Sequence, residues 1–477
     1  MPGFLAFSYH VSLTNHMNYD IIIIGGGSAG YAAARTAQDE GANVAIIDQG
    51  PLGGLCILRG CMPTKTILRS SDVMSLMQRA EEFGLYPVAA KANLSAIIDR
   101  KARLIQEFAE YRIKALKDPR FTLYQEQAHF LSPTEVQAGS HRLTAKAFII
   151  STGSVVSRIP LPGLEEVGYI TSDEALELRT LPKSLIVLGG GAVALEFAQF
   201  FARLSTKVTL IQRSPHIMSD GDEDLAHPVE NRFREEGMTV YTSTHLQYFS
   251  QAGSLKNAHF LHNGKEQTVS AEVILQALGR HPNIEALNLE NAKVQTHHGA
   301  ITVSHEMRTS TPHIFAVGDV NGLHEIVHIA IQQGEIAGWN AVHPDKPPRL
   351  HDDRLKAQVI FTDPQVANVG LFEWECLQQD IDYLVASYPF NDHGKSMCLG
   401  ETHGHVKLLC HPKTGELIGG HIVGPEASEL IHELITIMYY HGTVHDMLRI
   451  PHYHPTLAEI LTYPAEELAN QLDASLN

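Results

Sequence analysis

Cysteine and positive charge are both scarce in this chain. Its 477 residues include five cysteines, an odd number that does not suit the paired disulfide framework of a secreted protein, so we expect a cytoplasmic location. Lysine and arginine number 36 against 53 aspartates and glutamates, and the net charge of −17 argues against a nucleic-acid partner. An apolar content of 44% in a chain of this length indicates about three domains with substantial cores.

Long apolar runs are also missing. The run Ile21 to Ile24 is too short to span a bilayer, and we expect no membrane partner. The first 17 residues have no basic stretch before an apolar core, unlike a signal peptide. We interpret residues 1–17 as a disordered N-terminal extension, with Met17 as an alternative start.

A glycine-rich segment follows the apolar run and precedes a helix-forming stretch. Gly25 permits a tight turn, Gly27 lets the backbone approach a pyrophosphate, and Gly30 lets the helix pack on the strand. Asp48 follows a strand predicted at Val44 to Ile47, at the offset where an acid binds a ribose hydroxyl. Together these features favour a dinucleotide-binding site over an ordinary glycine turn.

The same pattern returns in the middle of the chain. Gly189, Gly191 and Ala194 have the GxGxxA spacing, which predicts a second dinucleotide site. The residue at the position equivalent to Asp48 is Gln212, so the ribose-binding acid is missing. The next residue, Arg213, is a fixed cation that suits a 2′-phosphate, and the second site therefore slightly favours NADPH over NADH.

Two cysteines follow the first glycine motif. Cys56 and Cys61 are separated by four residues in a glycine-containing loop, a spacing that allows a disulfide. The pair alone is also compatible with half of a zinc site or with two unrelated buried thiols. His441 and His445 have a helical spacing, but no third ligand accompanies them, and we predict no metal site.

Together with these features, four further motifs resemble those of the class I pyridine nucleotide-disulfide oxidoreductases, the family of lipoamide dehydrogenase, glutathione reductase and mercuric reductase. The resemblance covers the chain from about Asn18 onward. The four motifs are Ser151-Thr152-Gly153, Gly279-Arg280-His281-Pro282-Asn283, Ile314-Phe315-Ala316-Val317-Gly318-Asp319 and Tyr453-His454-Pro455-Thr456-Leu457-Ala458-Glu459.

The resemblance implies a fold and its domains. We expect an α/β protein with two Rossmann-like nucleotide-binding domains, one for FAD and one for NAD(P), and an α+β C-terminal dimerisation domain. The predicted segments are an extension at 1–17, an FAD domain at 18–160 and 280–345, an NAD(P) domain at 161–279 and a dimerisation domain at 346–477. A homodimer is the expected assembly.

The resemblance also implies residue roles. Cys61 would face the flavin and Cys56 would exchange with substrate, while His454, oriented by Glu459, would serve as acid and base from the partner subunit. Lys65 would lie at the flavin's reducible edge with Glu196 as its ion-pair partner. The remaining cofactor-binding positions implied by the motifs are Gly153, Gly279 and Asp319.

The expected activity is electron transfer between NAD(P)H, FAD, the cysteine pair and a small-molecule or protein-bound dithiol or disulfide, as in lipoamide dehydrogenase. Two alternatives stay open: a diaphorase or transhydrogenase in which the dithiol is secondary, and a non-catalytic flavoprotein subunit. The usual mercuric reductase machinery includes a C-terminal cysteine pair and an N-terminal metal-binding CxxC, and this sequence contains neither. Arg35 resembles a glutathione-contact position, but Glu335 stands where glutathione reductase has a substrate-binding arginine.

Overall fold

The computed structural model describes residues 17–86 and 89–475, so the predicted extension lies almost wholly outside the described residues. The strands are β1 (Met17–Ile24), β2 (Val44–Ile47), β3 (Phe121–Tyr124), β4 (Ala128–Ser132), β5 (Glu135–Ala138), β6 (His141–Ile150), β7 (Ser154–Val156), β8 (Ser184–Leu188), β9 (Lys207–Ile211), β10 (Thr239–Tyr241), β11 (Thr244–Ala252), β12 (Leu255–His262), β13 (Lys265–Ala271), β14 (Val273–Gln276), β15 (Arg280–Pro282), β16 (Thr296–His297), β17 (Ala300–Ile301), β18 (Ile314–Ala316), β19 (Ala357–Ile360), β20 (Gln365–Gly370), β21 (Leu384–Pro389), β22 (His405–Cys410) and β23 (Leu417–Gly424).

The α-helices are α1 (Ser28–Asp39), α2 (Leu55–Leu58), α3 (Cys61–Gln78), α4 (Leu94–Leu116), α5 (Leu164–Val167), α6 (Ser172–Ala175), α7 (Ala192–Arg203), α8 (Glu223–Glu235), α9 (Val327–Val342), α10 (Glu373–Gln379), α11 (Gly394–Leu399), α12 (Ala427–Tyr439), α13 (Val444–Arg449) and α14 (Thr462–Ser475). Short 3-10 helices lie at Ala80–Phe83, Glu285–Leu287, Gly318–Asn321, Asp353–Leu355, Phe390–Asp392 and Leu457–Leu461. None of the helices described here is long and apolar enough to cross a membrane.

The chain divides into two compact units. The first contains the described residues up to Cys56 together with Phe108–Val155 and His281–His351. Its sheet has the strand order β3-β2-β1-β6-β5-β4, and β18 also pairs with β6. Strand β1 is parallel to β2 and β6, β2 is parallel to β3, and β6 is parallel to β18, with Ile21 opposite Val44. Strand β5 is antiparallel to both β4 and β6. The apolar run Ile21 to Ile24 is fully buried because both faces of a parallel sheet are covered.

Helices α1 and α9 of the first unit pack closely on each other. Side chains at Gly334 and Gly338 would meet the carbonyl oxygens of Ala29 and Ala33, since an added Cβ would lie 2.2 and 2.6 Å from them. The two glycines on α9 therefore bring the helix that follows the first glycine motif against the helix that follows the Asp319 segment. This contact fixes two parts of the expected FAD site in one unit.

The second unit contains Ile57–Glu107, Val156–Arg280 and the chain from Asp352 onward. It includes a parallel sheet of order β10-β9-β8-β14, an antiparallel sheet of order β11-β12-β13 and an antiparallel sheet of order β19-β20-β23-β22-β21. Helices α3 and α7 pack together on the core of the parallel sheet, which is rich in phenylalanine from α7. A separate apolar core joins the last antiparallel sheet to α12 and α14.

Candidate active site

The first glycine loop joins β1 to α1 in the first unit. Gly25 has a φ of +103°, and a Cβ there would lie 2.4 Å from the carbonyl oxygen of Ser151. At Gly30 a Cβ would lie 1.9 Å from the Gly25 oxygen, so a side chain would push the helix off the strand. Gly27 caps α1, and a Cβ on it would meet nothing within 4 Å. The space in front of this helix N-terminus suits a pyrophosphate.

Asp48 lies directly after β2 and is bound to the same loop. Its carboxylate accepts hydrogen bonds from the backbone N–H of Gly26 at 2.6 Å and of Gly50 at 2.7 Å. These two donors fix the orientation of a half-buried acid beside the glycine loop. The arrangement fits the ribose contact expected from its position in the sequence.

Asp319 lies in the 3-10 helix that follows β18, also in the first unit. Its Oδ2 accepts a hydrogen bond from the Ser154 hydroxyl at 2.6 Å, next to Gly153, whose φ is +70°. A Cβ on Gly318 would lie 3.4 Å from the Cβ of Ala29 on α1, so the Asp319 turn packs beside the helix of the first glycine loop. The donors and acceptors present therefore fit FAD. Gly279, the other glycine implied as a cofactor-binding position, belongs to the second unit and has a φ of +102°.

The cysteine loop begins against the phosphate loop. Gly54 has a φ of +80°, and a Cβ there would lie only 2.9 Å from the Cα of Gly27. Cys56 follows on the short helix α2, and Cys61 is the first residue of α3; both are partly exposed. The positive end of an 18-residue helix stabilises a thiolate at Cys61.

The other three cysteines differ from this pair. Cys376 and Cys410 are buried, and burial raises the pKa of Cys410 to about 11. Burial likewise raises the pKa of Cys376. Cys398 is exposed on α11. A raised pKa suppresses thiolate formation at neutral pH, so the two buried thiols suit packing better than exchange chemistry.

Lys65 and Glu196 meet in the second unit, where α3 packs on α7. The ammonium of Lys65 donates to both carboxylate oxygens of Glu196, each at 2.8 Å. Glu196 is 3% exposed, and its Oε1 also accepts the backbone N–H of Phe361 at 3.0 Å. The ammonium lies 4.6 Å from the centre of the Phe361 ring. The predicted ion pair is therefore formed, one turn of α3 beyond Cys61.

The second glycine loop joins β8 to α7 and repeats the geometry of the first. Gly189 has a φ of +117°, with a Cβ position 2.3 Å from the Ala277 oxygen, whereas Gly191 has open space around it. Gln212 is buried against this loop and its Oε1 accepts the N–H of Arg213 at 3.1 Å. Arg213 is exposed, and within the described residues its guanidinium has no ion-pair partner. These residues fit a nicotinamide dinucleotide.

His454 and Glu459 form a pair near the C-terminal end of the second unit. The Nδ1 atom of His454 lies 2.9 Å from Glu459 Oε1, and Glu459 Oε2 accepts the Thr456 N–H at 2.8 Å. The hydrogen bond from the Thr456 N–H, and to a smaller extent the hydrogen bond with His454, lower the pKa of the Glu459 carboxyl. A proton on Nδ1 facing the carboxylate leaves Nε2 as the basic nitrogen. The imidazole side chain is 82% exposed and open to a partner.

Sequence reasoning did not identify several residues at these sites. Ser154 binds Asp319, Gly54 meets Gly27, and Phe361 contacts both Lys65 and Glu196. The contacts of Ser154 and Phe361 join segments more than 100 residues apart, so no local spacing marked them. His441 and His445, left without a metal role, contact different carboxylates, those of Glu416 and Asp473.

Two family models match the chain. Residues 19–334 match the pyridine nucleotide-disulphide oxidoreductase model, and residues 356–465 match the dimerisation domain of the same family. The chain belongs to the pyridine nucleotide-disulphide oxidoreductase family. It is an FAD-dependent NAD(P)-disulfide oxidoreductase, as the glycine motifs and the cysteine pair predicted. The dimerisation domain supports the expected homodimer.

Curated relatives cover most of the chain. A mercuric reductase of Staphylococcus aureus is 34% identical over 417 residues, which are 87% of this chain and 76% of that protein. A dihydrolipoyl dehydrogenase of Bacillus subtilis is 32% identical over 425 residues, or 88% of this chain and 92% of that protein. Relatives with different substrates thus match at nearly the same level.

Solved structures agree with the fold. LpdA from Mycobacterium tuberculosis has a TM-score of 0.85 at 26% identity, covering 94% of this chain and 99% of that chain. A copper(II) complex of RclA, a hypochlorous acid-induced flavoprotein disulfide reductase of Escherichia coli, has a TM-score of 0.83 at 25% identity and the same coverage. The predicted α/β architecture with a C-terminal dimerisation domain is confirmed.

Proposed function

We propose that this enzyme reduces a small-molecule or protein-bound organic disulfide with electrons from NADPH, through the Cys56–Cys61 pair. The observation that carries the proposal is the position of Cys61 at the N-terminus of α3, one turn before Lys65. Bound FAD would supply the hydride acceptor for the reduced nicotinamide and the two electrons that reduce the cysteine disulfide. The helix end then stabilises the Cys61 thiolate.

The exchange step uses residues of this chain in a balanced sequence. The Cys56 thiolate attacks one sulfur of the substrate disulfide, a mixed disulfide forms, and the departing thiolate takes a proton from His454. The Cys61 thiolate then attacks the Cys56 sulfur, which restores the cysteine disulfide and releases the second substrate sulfur as a thiolate, which takes its proton from water. Glu459 holds the imidazole through Nδ1, which leaves Nε2 as the nitrogen that would exchange the proton with the departing sulfur.

One ion pair supports a choice of substrate chemistry within this proposal. Arg35 pairs with Glu335 at 2.7 Å, and an arginine already engaged by a carboxylate does not favour a glutathione-like anion. We therefore favour an uncharged or lipoyl-like disulfide over glutathione. A cytoplasmic location, where dithiols stay reduced, is part of the same proposal.

Cysteine variants test the electron path. Reduction of the FAD-loaded enzyme by NADPH is expected to produce long-wavelength absorbance from the Cys61 thiolate beside the flavin. Cys61→Ser should abolish that absorbance, whereas Cys56→Ser should keep it and lose disulfide turnover. Full disulfide reductase activity in both variants would contradict the proposal, and turnover that survives thiol alkylation would favour a diaphorase.

A hybrid dimer tests whether His454 acts across the subunit interface. Coexpression of a Cys56→Ser subunit with a His454→Ala subunit should restore activity, since one of the two sites then has both intact groups. The matched control combines Cys56→Ser with Cys61→Ser, which damages the cysteine pair of both subunits and should stay inactive. An inactive first hybrid would show that the two residues act within one subunit.

A further inference from the structure

The loop between β19 and β20 is fastened to one face of α7. Three residues of that face, Glu196, Gln199 and Arg203, hold it at successive turns. Glu196 accepts the N–H of Phe361 at 3.0 Å, and Gln199 both accepts the Asp363 N–H at 2.8 Å and donates to the Asp363 carbonyl at 2.7 Å. Arg203 forms an ion pair with the Asp363 carboxylate. Residues three and four apart line one helix face, so the loop runs along α7.

The first residue of this loop touches both members of the Lys65 pair. The backbone of Phe361 holds the Glu196 oxygen that also binds Lys65, and its ring lies 4.6 Å from the Lys65 ammonium. The Lys65 side chain is 33% exposed, so water competes for its ammonium. A ring face beside the ammonium attracts it and covers one of its open sides. Phe361 thus restricts the positions that the Lys65 ammonium can adopt.

The other end of the loop is anchored by a buried cation. The Arg203 side chain is 2% exposed and pairs with Asp363, Glu236 and Asp72. Burial favours the neutral form of Asp363, but the charge of Arg203 outweighs this and lowers the pKa of that carboxyl. Breaking such a buried pair is costly because an unpaired charge remains. The anchor therefore keeps the loop in place on α7.

Two ion pairs join α3 to α7, with the cation on α3 in the first pair and on α7 in the second. Lys65 of α3 binds Glu196 of α7, and seven residues further along each helix Asp72 of α3 binds Arg203 of α7 at 3.0 Å. The two pairs fix the register of α3, the helix that begins with Cys61. Phe361 is thus supported from both sides, by the Glu196 pair and by the Arg203 anchor.

We propose that Phe361 is a positioning residue for Lys65, held by the Asp363–Arg203 anchor, and that it thereby helps to set the reduction potential of the bound flavin. The inference rests on the proposed function and on the role that the family resemblance implies for Lys65, whose charge would stabilise the reduced flavin. With the ring removed, the ammonium turns more often to water and stabilises the reduced form less. The oxidised flavin is then favoured and the potential becomes more negative.

The test measures the flavin midpoint potential of the FAD-loaded dimer by equilibration with redox dyes. Phe361→Leu should shift the equilibrium towards oxidised flavin by about two- to fivefold, the range of a partly exposed cation–π contact. Phe361→Tyr retains the ring and should keep the parent potential. Phe372→Leu removes a similar half-buried ring, which stacks on His421, and is the control for general loss of packing.

A second variant tests the anchor and covers a failure of Phe361→Leu to fold. Asp363→Asn weakens the Arg203 contact but keeps the loop's backbone bonds, and it should move the potential in the same direction by less. An unchanged potential in folded Phe361→Leu, or in Asp363→Asn if only that variant folds, overturns the inference. So does an equal shift in Phe372→Leu. A parent protein without FAD or disulfide turnover would instead contradict the proposed function.

Discussion

Replacement of Glu196 by glutamine removes the charge of the most buried ion-pair partner at the active site. The carboxylate is 3% exposed and accepts three hydrogen bonds, two from Lys65 and one from Phe361. Glutamine has the same shape, but its NH₂ group cannot accept a hydrogen bond from the Lys65 ammonium or the Phe361 N–H. Loss of one partner of a buried pair costs about 3–5 kcal/mol. Because Lys65 is one-third exposed and can turn to water, we expect Glu196→Gln to lower the unfolding free energy by about 2–3 kcal/mol.

Removal of the other partner of this ion pair, Lys65, should lower the unfolding free energy further. Within the described part of the chain, Lys65→Met leaves the buried carboxylate of Glu196 with only the Phe361 N–H for compensation, whereas Glu196→Gln leaves an ammonium that reaches solvent. An uncompensated charge is more costly the deeper it lies. We therefore expect Lys65→Met to destabilise the protein more than Glu196→Gln, and the double variant to cost less than the sum of the two.

Urea unfolding of the FAD-loaded protein measures these differences through the midpoint, provided that the denaturant slope stays constant. The control is Glu107→Gln, because the Arg103–Glu107 pair has a separation of 3.8 Å and both side chains are more than 60% exposed. Such a surface pair contributes about 0.3–0.5 kcal/mol. If Glu196→Gln costs no more than this control, or if Lys65→Met is the milder change, the reasoning about the buried pair is wrong.

Three further predictions concern cofactor choice, pH and catalysis. Arg213→Ala should lower kcat/KM for NADPH about tenfold more than for NADH, since an exposed charge-assisted contact lies at the low end of 1.5–3 kcal/mol; a strong, unaltered NADH preference would contradict this. Burial, and next Lys407, lowers the pKa of His421 to about 4, so below pH 6.5 the unfolded chain binds a proton that the folded chain does not. The unfolding free energy should therefore decrease as the pH is lowered below 6.5, by about 1.4 kcal/mol at pH 5.5 relative to neutral pH. Urea midpoints of His421→Gln should lack this pH-dependent component. Glu459→Gln should slow disulfide turnover about tenfold while leaving flavin reduction by NADPH unchanged in stopped-flow traces, because the His454 pair serves only the exchange step; equal slowing of both steps would exclude that role.

Short-range patterns were sufficient to predict the family and much of the fold. The strand predicted at Val44 to Ile47 is β2. The two glycine motifs predicted the two nucleotide folds because the turn, the helix start and the strand contact all lie within a few residues. The residue roles and the domain boundaries stay predictions.

Contacts between distant segments were decided only in the folded chain. Lys65 and Glu196 are 131 residues apart, Ser154 and Asp319 are 165 apart, and Phe361 is 165 from Glu196. No spacing in the sequence distinguishes Phe361 or Arg203 from other buried or charged residues, because their significance lies in which groups the packing of α3, α7 and the β19–β20 loop brings together. Local sequence determined the motifs through backbone geometry, whereas tertiary packing determined which charge is held, by which partner and how far from water.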